Sequence, residues 1–353
     1  MTHRIATLKS GLKLDFGEGL LLFKPVNFRY YASFTGTSGF IYSDASGDFF
    51  LTDSRYVEQA KKQCMGFEIV ELSKDFTIYN FLEAKGLNRL YVEENYITMA
   101  LHGKLRKSLE NTPIIGMDAF ISNQRIIKET SEIEKISRAA KIADEAFSHI
   151  IGFIKPGMTE KEIAFELEFF MRRSGAEGLS FETIVASGVR SSMPHGAPTD
   201  KRVEEGEFIT MDFGCMVEGY CSDMTRTVHL GPASEEERNV YQVVLKAQNE
   251  AMKSIMEGMT CVSVDKIARD IIMENGYGDY FGHGLGHGVG LEIHEEPFLS
   301  PLGDKMLRAG MVVTDEPGIY IPGKFGVRIE DLVVVRENGC DVLSNSRKEL
   351  IEI

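Results

Sequence analysis

A tripeptide that occurs twice constrains this chain more than anything else in it. Gly157-Met158-Thr159 opens a helical stretch closing at Arg173-Ser174-Gly175, and Gly258-Met259-Thr260 opens another closing at Glu274-Asn275-Gly276. A long amphipathic segment precedes each copy. A histidine and then an acidic residue follow each at nearly matched distances: His195 and Asp212 after the first, His294 and Glu316 after the second. A repeated tripeptide arises easily by chance, whereas helices, a histidine and carboxylates repeated in one order do not. The pattern predicts a duplicated half-domain whose copies face each other across a site.

The rest of the chain divides around this repeat. Its 353 residues suit two domains. Up to about residue 120, short apolar runs alternate with turn signals. Gly19–Lys24, Gly39–Ser43, Phe49–Thr52 and Phe67–Leu72 read as strands, and Ser54–Gln63 and Asp75–Lys85 as helices. That alternation predicts an α/β domain over residues 1–125, with Met117–Ile127 as the way out of it. From residue 126 to 353 the texture is α+β. Ser131 with Glu134, Thr159 with Glu162 and Ser234 with Glu237 each read as a capping box. Ile136, Ala139, Ala140, Ala143, Phe147 and Ile150 trace one buried helical face. Strands are predicted at Phe181–Ser187, Phe208–Gly214, Tyr220–Leu230, Met311–Ile321 and Val327–Val335.

Carboxylates sit on those strands where water is an unlikely reason for them. A hairpin turning near Val217–Glu218 would make Asp212 and Asp223 direct cross-strand neighbours, with Cβ atoms ~4.5–5.5 Å apart. A second hairpin turning at Pro322-Gly323-Lys324 would set Glu316 opposite Glu330. One acidic residue on a strand is usually solvated. Four at matched positions in two half-domains call for a bound cation, which inverts the like-charge penalty. Three of the eight histidines, His283, His287 and His294, also fall within one glycine-rich segment. That segment lacks the lysine of a phosphate loop. Four carboxylates and an imidazole suit two hard-to-borderline divalent ions. Two such ions roughly 3.5–4 Å apart can activate a water and polarise a carbonyl, the arrangement for hydrolysis.

Composition removes other classes. The formal net charge of −14 argues against nucleic acid as a partner. No apolar run approaches the ~18 residues of a membrane span, and the N-terminus lacks a signal-peptide pattern. Five scattered cysteines without a C-x-x-C read as free thiols, which suits the cytoplasm.

At these motifs the chain resembles the pita-bread metallopeptidases, the group of methionine aminopeptidase, aminopeptidase P, prolidase and creatinase. The resemblance runs through Asp212-Phe-Gly, Ser222-Asp-Met-Thr-Arg-Thr227, His287-Gly-Val-Gly-Leu-Glu-Ile-His294, Glu316-Pro-Gly and Arg328-Ile-Glu-Asp331. Asp223-Met-Thr-Arg-Thr227 and Val327-Arg-Ile-Glu-Asp331 are similar to the proline-specific branch. So are Tyr30-Tyr-Ala-Ser-Phe-Thr-Gly36 and Thr52-Asp-Ser-Arg-Tyr56, in the extra N-terminal domain of the creatinase and prolidase type.

Carried over residue by residue, the resemblance implies Asp212, Asp223, His287, Glu316 and Glu330 as ligands of two divalent ions, Mn2+ first, with Co2+, Zn2+ or Fe2+ as alternatives. Asp223 and Glu330 would span them, and Glu316 would also shuttle a proton from the attacking hydroxide to the leaving imino nitrogen. His195 and His294 would hydrogen-bond the substrate carbonyl and the tetrahedral oxyanion, and His283 would lie beside the proline pocket. Arg328 and Tyr320 would support the carboxylates from behind. The implied reaction is hydrolysis between an N-terminal residue and proline, in a homodimer or larger assembly closed by the N-terminal domain. A strict dipeptidase needs a cation for the substrate's C-terminal carboxylate. Some have an arginine where this chain has Phe298, so an Xaa-Pro aminopeptidase is preferred to an Xaa-Pro dipeptidase. The alternatives are creatinase-like C–N hydrolysis and a non-catalytic binder of the same fold; the intact five-residue set weighs against the second.

Overall fold

The computed structural model describes residues 2–353. Its contacts divide the chain between Gln124 and Arg125 into two compact units. In the N-terminal unit a six-stranded mixed sheet runs in the order Glu68–Leu72, Asp48–Asp53, Phe40–Asp44, Glu18–Leu22, Arg89–Val92, Ile114–Gly116. Leu21, Tyr42, Leu51 and Leu90 from its central strands pack with Phe81 and Leu82 of the helix Ile78–Ala84. The sequence reading missed the last two strands and the helices Thr2–Leu12, Pro25–Ala32, Met99–Ser108 and Asp118–Arg125. Pro25–Ala32 shows why: its N-cap, Lys24, makes no side-chain cap. What holds the helix entry lies far away in sequence: the buried Glu93 carboxylate accepts from the backbone N–H groups of Phe23 and Lys24, just ahead of the helix, and from Asn27 Nδ2 within it.

The second unit carries the duplication. The first half has helices Thr130–Phe153 and Glu160–Arg173 and the strands Ile184–Ser187, Glu207–Phe213 and Met224–Leu230, with Glu207–Phe213 in the middle. The second has helices Glu235–Ser254 and Cys261–Glu274 and a five-stranded sheet ordered Glu295–Leu299, Gly286–Gly288, Val312–Asp315, Asp331–Arg336, Gly339–Val342. Each half has its own apolar core. Ala143, Phe147 and Ile150 pack with Met211 and Phe213 in one. Val240, Val244 and Ala247 pack with Val313 and Val333 in the other. Full burial of each such valine contributes about 1.5–3 kcal/mol.

The two tripeptides do the same local work. Gly157 and Gly258 share φ +88°, where a side chain would be strained. Gly157 N donates to Val203 O and Gly258 N to Leu307 O. Met158 O and Met259 O accept in return from Val203 N and Leu307 N, each at 2.8 Å. Thr159 and Thr260 then cap the helices that follow, accepting from Glu162 N and Ser263 N.

Two local expectations are corrected. The helix Thr130–Phe153 starts two residues earlier than read, with a box between Glu129 and Glu132 in place of Ser131 and Glu134. A carboxylate at the cap supplies the same acceptor as a hydroxyl. The first hairpin turns at Glu218-Gly219, with φ +48° and +77°, the left-handed pair that a two-residue turn demands. Met216 therefore faces Cys221, and Asp212 faces Thr225 rather than Asp223. Asp223 becomes the diagonal neighbour of Asp212, still on the same face. The second hairpin has the expected register: Gly318 faces Arg328 and Asp315 faces Asp331, so Glu316 and Glu330 lie opposite each other between the two ladders.

Candidate metal centre

Asp212 is the penultimate residue of Glu207–Phe213, Asp223 immediately precedes Met224–Leu230, and His287 is central in Gly286–Gly288. Glu316 and Glu330 occupy the break between ladders that Pro317 enforces by lacking an N–H. Asp223, His287 and Glu330 offer ligand atoms that all lie within 4.8 Å of one another. His287 Nε2 is 3.6 Å from Asp223 Oδ2 and 3.4 Å from Glu316 Oε1. Its Nδ1 faces Gly288 O at 3.1 Å, which assigns the proton there and leaves the Nε2 lone pair for a metal.

The donors fit a divalent pair. Asp212 Oδ1 and Glu330 Oε1 are buried without a hydrogen-bond partner among the described residues. Burial first, and then Glu330, Asp212 and Glu316, push the Asp223 carboxyl far up. Burial and the neighbouring Glu316 and Asp212 do the same to Glu330. Burial also raises Glu316 to about 7, against the pull of Arg328. Such a cluster ionises fully only when cations share the site.

One arginine organises the rim. Arg328, 3% exposed, donates from Nη2 to Asp212 Oδ2 at 2.7 Å and from Nε to Thr225 Oγ1 at 3.0 Å. Its Nη1 donates to Tyr320 Oη at 2.8 Å and to Pro194 O at 3.1 Å. Tyr320 Oη passes the bond on to His283 Nε2 at 2.9 Å, and His283 Nδ1 is taken by Gly284 O at 2.7 Å. Both His283 nitrogens are thus engaged, so its ring offers a neutral flat surface; burial lowers its pKa to about 4.

A cavity of about 530 Å³ opens over these residues and includes His195, His294, Phe181, Ile184, Ile293 and Phe298 in its lining. His195 and His294 are exposed to it, and the His294 ring stands edge-on 4.3 Å from that of His287.

Three contributors escaped the sequence reading. Thr225 Oγ1 donates to Glu330 Oε2 at 2.7 Å, and Thr314 Oγ1 donates to Glu316 Oε1 at 3.1 Å. The signal for Thr225 was period two: Asp223, Thr225 and Thr227 share one strand face. Glu160, fully buried, accepts from Ser187 N, Arg190 Nε and Thr199 N, and so fixes both ends of the loop that bears His195. It left no such signal, since it reads as an ordinary acid in a helix's first turn.

Buried carboxylates and one imidazole, gathered on paired strands under a cleft, define a metal-dependent hydrolase. Comparison with known proteins sharpens this. Residues 134–337 match the model of metallopeptidase family M24, and residues 4–127 that of the creatinase/prolidase N-terminal domain. An Xaa-Pro dipeptidase of Pyrococcus furiosus is 39% identical over 99% of this chain and 100% of its own. A solved structure of an Xaa-Pro dipeptidase from Bacillus anthracis superposes with TM-score 0.95 at 43% identity, covering 100% of this chain and 99% of that one. An X-Pro aminopeptidase from Thermotoga maritima superposes with TM-score 0.91 at 39% identity, covering 98% and 100%. The chain belongs to metallopeptidase family M24 and has a creatinase-like N-terminal domain followed in sequence by a domain of the pita-bread fold. No helix among the described residues is long and apolar enough to cross a membrane, and all five cysteines are free.

Proposed function

We propose that this metallopeptidase hydrolyses the bond between an N-terminal residue and proline, and that it prefers peptides longer than a dipeptide. Asp212, Asp223, His287, Glu316 and Glu330 would hold two divalent ions, Mn2+ first given the oxygen-rich donors. When bound, such ions polarise the scissile carbonyl and lower the pKa of water. Glu316 takes the water's proton and returns it to the imino nitrogen, which has no N–H of its own before cleavage. His195 and His294 donate to the carbonyl oxygen as it gains charge. Arg328 and Tyr320 hold Asp212 and His283 in place, and the His283 ring packs beside the proline.

The length preference is carried by the bonding of Arg328. Apart from histidines it is the one cationic residue among those lining the cavity, and four of its five N–H groups are engaged, by Asp212, Thr225, Tyr320 and Pro194. A dipeptide's C-terminal carboxylate would thus find no uncommitted lysine or arginine in the cavity lining, and Phe298, 44% exposed, stands where an arginine could supply one. Xaa-Pro dipeptides and Xaa-Pro-Yaa tripeptides are to be compared after chelation and Mn2+ add-back, with creatine as a control. Tripeptides are expected to be cleaved with the higher kcat/KM, and Phe298→Arg to lower KM for dipeptides about tenfold, the effect of one charged hydrogen bond of ~1.5 kcal/mol. Cleavage of dipeptides alone would overturn the preference. The same reading has a cytoplasmic homodimer carrying two ions per subunit; native mass measurement counts subunits and ions together, and a monomer would contradict it.

A further inference from the structure

Behind the metal residues lies a second charged cluster that the proposed chemistry does not use. Glu316 and Glu330 face the cavity, so by strand alternation their neighbours Asp315 and Asp331 lie on the opposite face, where they are register partners and 0% exposed. Asp331 Oδ1 accepts from Arg226 Nη2 at 2.7 Å. Its Oδ2 accepts from Gln248 Nε2 at 3.0 Å and from Lys348 Nζ at 2.8 Å. Lys348 Nζ also donates to Gln248 Oε1 at 2.9 Å.

Arg226 is 1% exposed and has every N–H engaged. Nε donates to Arg347 O, Nη2 also to Ser346 O, and Nη1 to the carbonyls of Thr225 and Glu330. A planar guanidinium with all five donors bonded holds its acceptors at fixed spacing. The Glu330 side chain, by contrast, has a single protein hydrogen bond, from Thr225 Oγ1, and its Oε1 has none among the described residues. Within the protein, the placement of that carboxylate is therefore set largely through its own backbone, from the far side of the sheet.

We propose that Arg226, Asp331 and Lys348 form a brace that positions Glu330 for the metal ions, with the segment Ser346–Lys348 as its outer anchor. This rests on Glu330 being a metal ligand, and the experiment separates the two claims. Mn2+ binding to Glu330→Ala, Arg226→Gln, Arg226→Lys, Lys348→Met and Lys348→Arg is followed by titration calorimetry and by metal count after dialysis. Thermal unfolding in chelator is recorded alongside. Arg226→Gln and Lys348→Met are expected to weaken the second Mn2+ equivalent about tenfold or more. Lys348→Arg should restore it, and Arg226→Lys should not, because one ammonium cannot span both the Glu330 carbonyl and Asp331. If Glu330→Ala binds two ions as well as the unaltered chain, the metal role of Glu330 falls. If Glu330→Ala loses an ion while Arg226→Gln and Lys348→Met keep Mn2+ affinity within twofold and lose only thermal stability, the brace is merely structural and the proposal fails. Should Arg226→Gln not fold, Lys348→Met decides alone, since its side chain is 21% exposed.

Discussion

Glu316→Gln is expected to lower kcat by about 10²–10⁴-fold at saturating Mn2+, with little change in the fold. The substitution keeps the shape, and an amide oxygen can still accept from Thr314 Oγ1, which now bonds Glu316 at 3.1 Å. What it removes is a group that can take up and release a proton near neutral pH. In the metal-free chain burial raises this carboxyl to about 7; cations bound beside it would favour its ionised form, the form that accepts the water's proton. Because Glu316 is also placed among the metal donors, rates are to be normalised to bound metal in the same preparation. A fully loaded Glu316→Gln enzyme within threefold of the normal kcat would remove Glu316 from the proton path.

Metal binding should stabilise the protein by an amount that grows with pH. The sign follows from Asp223, Glu316 and Glu330, whose affinities for protons are all raised in the folded chain. Between the ordinary value of 4.5 for Glu316 and its raised value of about 7, the metal-free folded chain retains a proton that the unfolded chain has released. The stability from this group is thus present at low pH and lost as pH rises through about 7. Divalent ions displace those protons, so at pH 5 they compete with them and at pH 8 they do not. At Mn2+ a hundredfold above its dissociation constant the gain is about 2.7 kcal/mol, or roughly 5–10 °C in Tm for a unit of this size. Scanning calorimetry with and without Mn2+ at pH 5, 6.5 and 8 measures it. A Tm increment that is flat or falls with pH would contradict the assignment of these carboxylates as donors.

The duplication was legible because its signals are local. A positive-φ glycine, a capping threonine and a helical apolar face can each be read within a few residues. The Glu316–Glu330 register was legible for the same reason, since Pro322-Gly323 fixes the turn. The first hairpin was read one residue early at its turn because Glu218 adopts a left-handed conformation, which its residue type does not advertise. That slip moved the partner of Asp212 by two positions but kept Asp223 on the same face. Contacts such as Glu93 with the helix at Pro25, Glu160 with Thr199, or Arg226 with Ser346 join distant parts of the chain. No periodicity marks the side chains that make them, so they become visible only when the strands are paired.

The proposed donors are spread from Asp212 to Glu330, and each half-domain contributes some of them. No partial structure with one half formed can offer the full set. Ions that need the full set would bind only once the halves have docked, and are expected to add nothing to a folding transition state that precedes docking. Their effect falls on the rate of coming apart: Mn2+ should leave the refolding rate nearly unchanged and slow unfolding in proportion to its occupancy. In stopped-flow experiments the unfolding limb of the chevron would drop with added metal while the refolding limb stays in place. The centre built for hydrolysis would then also act as a latch, setting how long the native molecule lasts.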